Sequence, residues 1–255
     1  MAKEGKGRGI LFCLAVLLLL IGSPAFAITP PDPVKDYPEI DYINVTNALL
    51  RLGRLKPDND DYVDAYAMAA HCDVVAGSYR DEFRWKQARA AMKKWIAIKK
   101  GILPTRLGVR KQILFSRYDF DSKYFLFAAE TSLAKINTFT TNPRSNAPGC
   151  SGEVSKLLPS YYVVVTNNPI NLPGLRLTEE QARDLSQKFA SQNNTRRMAY
   201  LRFLVDITDS DIIGPTMFAN RSVGDQKLKV KATLYAIEFF SDPYYQRRFY
   251  VYYPY

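Results

Sequence analysis

Two runs near the C-terminus alternate so strictly that they leave one backbone conformation open. Ala199, Leu201, Phe203, Val205 and Ile207 recur at every second position, and so do Leu228, Val230, Ala232, Leu234 and Ala236. A period of two lines these side chains along one face of an extended strand, whereas a helix would scatter them around its axis. Phe249, Val251 and Tyr253 repeat the pattern after a turn at Ser241-Asp242-Pro243. The three runs predict an antiparallel meander with one buried face.

Earlier in the chain the period lengthens. Val45, Leu49, Leu50 and Leu52 fit a short helix ended by Gly53. Asp58-Asn59-Asp60-Asp61 caps and charges the start of a second helix, whose stripe of Tyr62, Tyr66, Ala69 and Ala70 runs past His71 to a stop at Gly77. Ser78 is placed to cap a third, carrying Trp85, Met92, Trp95 and Ile98 to its end at Lys99, Lys100 and Gly101. Residues 112–120 and 123–128 read as a hairpin around Asp119-Phe120-Asp121-Ser122, and 137–153 as a long loop. Residues 161–166 form a β-branched strand, and Thr178 with Gln181 makes a capping box before Ala182, Leu185 and Phe189. Helices first and strands later predict an α+β fold, with N-terminal helices packed on a mainly antiparallel C-terminal sheet. The helical part spans about 41–101 and the strand-rich part about 106–255.

The N-terminus predicts export. Lys3, Lys6 and Arg8 precede an apolar run from 10 to 21, then Gly22-Ser23-Pro24 and the small-residue site Ala25-Phe26-Ala27. A run of about twelve residues is too short to cross a hydrocarbon core of about 30 Å. Residues 1–27 therefore read as a cleaved signal peptide and 28–255 as a single α+β domain, periplasmic or secreted. Its first residues, 28–38, hold four prolines and read as an extended leader. Cleavage also removes Cys13 and leaves Cys72 and Cys150, an even pair that in an oxidising compartment favours one disulfide. It would close a loop of about 78 residues, a stabilisation of about 4 kcal/mol in the chain-entropy account.

Composition then excludes chemistry. His71 is the only histidine among 255 residues, so every site needing two imidazoles is out, and zinc lacks a ligand set. Its place at a helix end suits a structural role. No G-x-S-x-G elbow and no phosphate-cradling glycine loop occurs. No metal or cofactor is therefore expected. Ser132-Leu-Ala-Lys135 matches the S-x-x-K of acyl-transfer enzymes, but the companion K-T-G is missing. Asp119 and Asp121 share one face of a strand, yet turn-forming aspartates explain them as well. A cell-envelope hydrolase or transferase using Ser132/Lys135 or Asp119/Asp121 is the alternative to a binding protein.

Charge supports the binding protein. The chain carries a net +10, of which +8 remains after removal of residues 1–27. Lys227, Lys229 and Lys231 alternate with Leu228 and Val230, so the solvent side of that strand is cationic. Tyr244, Tyr245, Arg247 and Arg248 add an aromatic, basic turn. Together these predict a non-enzymatic surface for an acidic protein, a polyanionic glycan or lipid head groups at the envelope. Nucleic acid is disfavoured because export separates the two, and no membrane-spanning stretch follows the leader. A solvated face with edge-protecting lysines explains the strip equally well.

His71-Cys72-Asp73, Asp81-Glu82-Phe83-Arg84-Trp85 and Arg117-Tyr118-Asp119-Phe120-Asp121 resemble exported bacterial proteins grouped as domain of unknown function 4852. The resemblance extends from about Tyr42 to the tail. It implies a periplasmic or surface protein and brings no activity or functional residue with it.

Overall fold

The computed structural model describes residues 37–141, 158–191, 196–211 and 226–254. The proposed signal peptide, most of the proline leader and Cys150 lie outside them.

Asp41 opens α1 (Tyr42–Arg51) by accepting the Asn44 N–H at 2.6 Å. Gly53 ends the turn at φ +73°, a conformation that suits a residue without a Cβ. The second predicted helix is in fact two, α2 (Asp60–Ala70) and α3 (Cys72–Ser78), broken at His71 with φ −138° and ψ 52°. The His71 ring packs against Tyr66 and Trp95, so the chain turns around that side chain. Helix α4 (Glu82–Lys99) is capped by Asp81, whose carboxylate accepts the N–H groups of Phe83 and Arg84. Ser78 instead donates its hydroxyl to the Val74 carbonyl.

Eight strands follow: β1 (Arg106–Asp119), β2 (Tyr124–Phe127), β3 (Ile136–Thr140), β4 (Tyr161–Ile170), β5 (Gly174–Arg176), β6 (Met198–Ser210), β7 (Lys227–Phe240) and β8 (Arg248–Tyr252). The predicted loop at 137–153 thus begins as β3; residues 142–157 lie outside the description. Between β5 and β6 sits α5 (Glu179–Ser191), whose capping box forms as expected. Gln181 accepts the Thr178 N–H at 2.9 Å, and Thr178 accepts the Gln181 N–H at 3.2 Å.

The sheet runs β3-β4-β7-β6-β1-β2-β5, with β8 also on β7. All pairs are antiparallel except β4 with β7, so the sheet is mixed rather than purely antiparallel. Register shifts in four strand pairs curl it. The concave face holds the main core. Val45 and Leu49 of α1, Tyr66 of α2, Ile96 of α4 and Phe189 of α5 meet Leu201, Phe203, Val205, Leu228 and Val230 there.

Two expectations about this sheet need correction. The alternation of β7 does not run through Ala236. Val205 pairs with Leu234 and Leu204 with Ala236, leaving Tyr235 as an extra residue that reverses the facing. Ala236 therefore packs on the convex side with Tyr37 and Leu204, and Ile237 and Phe239 take the core side. A second shift, at Phe249, puts Phe249 and Tyr250 against the core and Val251 on the convex side. The end of the leader is also packed. Tyr37 is buried, and residues 38–40 pair with Gly108 through two backbone hydrogen bonds of 2.8 Å. A Cβ at Gly108 would lie 3.3 Å from the Tyr37 carbonyl oxygen, so glycine permits that approach.

Candidate functional site

Lys227, Lys229 and Lys231 stand exposed on the convex face of β7, opposite the buried Leu228 and Val230. Alternate residues of a strand are about 7 Å apart, so the three ammonium groups form a line rather than a cluster. Beside them on β4, Val163 and Val165 pair with Lys229 and Lys231 and are half-buried. On the other side Asp209 of β6 pairs with Lys231, with 3.5 Å between its carboxylate and the Lys231 Nζ. The same carboxylate meets Arg54. The Ser210 N–H foremost, then Arg54 and Lys231, hold the Asp209 carboxyl below its ordinary range.

The aromatic turn lies at the other end of β7. From Lys231 to Phe240 is nine residues, about 30 Å of strand, so the two predicted patches are separate surfaces. Asp242 organises the turn by accepting the N–H groups of Tyr244 at 2.9 Å, Gln246 at 3.2 Å and Arg247 at 2.6 Å. Tyr244 is 79% exposed and Arg247 is exposed. Tyr245, at φ +59°, is half-buried between Phe240 and Tyr200, with the Arg110 guanidinium 4.9 Å from its ring centre. Burial raises its phenol pKa. Arg248 is bound to Glu238, which also takes Arg202 Nε at 3.0 Å. Of the four predicted turn residues, Tyr244 and Arg247 are open to a partner, while Tyr245 and Arg248 are occupied in packing and pairing.

Arg202 and Glu238, each at most 3% exposed, were not singled out in the sequence. A strict alternation assigns Arg202 to solvent but Glu238 to the core side, and only the extra residue at Tyr235 brings the two onto one face. The available signal was a single charge among the apolar residues 199–205 and another among 234–240.

The groups considered for catalysis are placed as follows. Ser132 Oγ accepts the Ala134 N–H at 3.1 Å, and Lys135 sits at φ +64° in the turn before β3. Both side chains are exposed. Asp119 accepts the N–H groups of Asp121 and Ser122 and the Ser122 hydroxyl, at 3.0, 3.3 and 2.6 Å. The Ser122 hydroxyl is the main reason that its carboxyl titrates below the ordinary range. This is a turn stabilised by its own aspartate. Cys72 begins α3; Cys150 lies outside the described residues. No group of three or more potential metal ligands occurs among the described residues, and no described helix is long and apolar enough to cross a membrane.

Clefts formed by described residues include three, none of them lined by Ser132, Lys135, Asp119 or Asp121. The largest of these three, about 640 Å³, opens between α2 and α4 beside Tyr79. On its wall Asp64, 6% exposed, accepts Trp85 Nε1 at 3.2 Å and Arg89 Nε at 2.6 Å. Asp60 takes Arg89 Nη1 at 3.0 Å and also binds Lys93, which holds the Asp60 carboxyl low. Asp64 in turn raises the Arg89 pKa. These charges are satisfied by one another and tie α2 to α4; Glu82 and Lys86 form the open rim. A second cleft, about 370 Å³, lies between the ends of β4 and β8, and a third, about 240 Å³, between α5 and β8.

No curated protein and no solved structure matches the chain. The matching family profile covers residues 58–188 and so includes all three sequence motifs and the helical cleft. It ends within α5, short of the lysine strip and of the tail to which the resemblance was extended. Just over half of the chain thus matches the Domain of unknown function (DUF4852) profile, and the chain belongs to that family.

Proposed function

We propose that this is an exported, non-enzymatic binding module whose lysine strip on β7 holds an acidic partner at the cell envelope. One observation carries the reading. Lys227, Lys229 and Lys231 are exposed on one face, and among the described residues the ion pair made by the strip is Lys231 with Asp209, at 3.5 Å. A line of exposed cations attracts a polyanion over about a Debye length and is weakened by salt. Export rests on the pattern of residues 1–27, and a Cys72–Cys150 disulfide completes the proposal for an oxidising compartment.

The test is recovery from envelope extracts at 50 and 500 mM salt, with the wild type and with Lys227→Gln/Lys229→Gln/Lys231→Gln. Partner recovery at low salt, lost at high salt and in the triple variant, supports the proposal. Recovery that ignores both overturns it. Non-reducing mass spectrometry checks the disulfide, and two free thiols would sink that part.

A further inference from the structure

β7 lends one of its two edges to two different strands. Its first half pairs with β4, from Tyr161 with Lys227 to Thr166 with Ala232. Its last residues pair with β8, beginning at Ile237 with Tyr252. Residues 233–236 have no strand on that edge. β4 leaves it after Thr166 and continues with β3 as far as Ile170, with Pro169 unable to donate a hydrogen bond on the way. From the other side the chain stops pairing at Tyr252, and Pro254 follows. The cleft of about 370 Å³ occupies this gap.

Its lining is chemically unlike the rest of the molecule. Charged residues make up 24% of the chain, yet this cleft has no Asp, Glu, Lys or Arg. Instead its lining includes Asn167, Asn168, Asn171, Thr233, Tyr252 and Pro254. The three asparagines are exposed and enter no side-chain hydrogen bond with a described residue. A carboxamide both donates and accepts, as a sugar hydroxyl does, and a tyrosine ring offers an apolar face beside a polar tip. The volume falls within the range of small-ligand sites.

We propose that the cleft between β4 and β8 binds an uncharged saccharide. An anion would find no cation there, and a cation no carboxylate. An added peptide strand is excluded by length. The gap of four residues is about 13 Å long and blocked at both ends, whereas strands typically run five to six residues. The site shares no residue with the lysine strip, so the two proposals stand or fall separately.

Calorimetric titration of the full chain with chitotriose, maltotriose and cellotriose, each at 50 and 500 mM salt, tests it. Saturable binding of at least one trisaccharide is expected, with the Kd changing less than two-fold between the two salts. Asn167→Ala and Asn168→Ala, both at exposed positions, should each weaken it about three- to ten-fold, the value of one hydrogen bond. Thr233→Trp fills the cleft and should abolish binding, while the triple lysine variant should bind as the wild type does. Absence of saturable binding to all three sugars overturns the proposal. So does binding that follows the salt or the lysines rather than the asparagines.

Discussion

The two halves of β7 share a buried inner face and have opposite surroundings on the outer one. In the first half, outward residues Lys227, Lys229 and Lys231 face solvent. In the second, outward residues Ala236, Glu238 and Phe240 are all at most 2% exposed. The inward residues are buried in both halves. What differs is the cover on the convex side, where Tyr37 and Tyr245 lie over the second half, with Val251 of the neighbouring β8 packed beside them. A charge placed in one half remains free to meet a partner, and in the other it must find its counter-charge inside the protein.

The sharpest way to break this comparison is to remove that counter-charge. Glu238→Ala leaves Arg202, 3% exposed, without its carboxylate and frees Arg248 as well. Breaking a buried pair from one side is expected to destabilise by about 3–5 kcal/mol in urea unfolding. Lys229→Ala, nine residues away on the same face, should change stability by less than about 0.5 kcal/mol. Similar losses for the two would erase the distinction between the halves.

An intermediate effect is expected at the turn that carries the cover. Asp242 accepts three backbone N–H groups and holds Tyr245 at its positive φ. Asp242→Ala should lose about 1–2 kcal/mol, the range of a lost cap. Asp242→Asn keeps an acceptor oxygen and should recover most of it. If the turn does hold the cover in place, amide exchange at 238–240 should quicken in Asp242→Ala while 228–230 keep their protection.

How much of this could be read in the sequence follows from the kind of force involved. Local signals translated well. The Thr178–Gln181 box, the capped start at Asn59, Gly53 and the Asp119 turn each depend on neighbours in the chain, and each forms, whereas the cap expected from Ser78 comes from Asp81. The alternation placed Leu228 and Val230 correctly and then misplaced Ala236, because the extra residue at Tyr235 answers to pairing with β6. The parallel β4–β7 pair, Tyr37 over the sheet and the Arg202–Glu238 contact are long-range in sequence, and no local pattern encodes them. The lysine strip was legible because it lies before the bulge. The neutral cleft was not, since it arises from where two strands stop.

The smallest effect concerns the carboxylate of Asp209, which is ion-paired to the exposed half. Asp209 keeps its carboxyl below the ordinary value of 3.8 through the Ser210 N–H first, then Arg54 and Lys231. A carboxyl lowered in the folded state adds stability that is fully present above its unfolded pKa and is lost as pH falls through the folded one. The wild type should therefore lead Asp209→Asn slightly in urea midpoint at pH 6, with the gap closing below pH 4. Added salt should narrow the gap at pH 6, because Arg54, Lys231 and Asp209 are all at least partly exposed. The Glu238 contribution, shielded from solvent, should keep most of its size in the same salt. A gap at Asp209 that salt leaves untouched would mean that the Ser210 N–H alone carries it. Asp209 would then not compete with an incoming partner for Lys231.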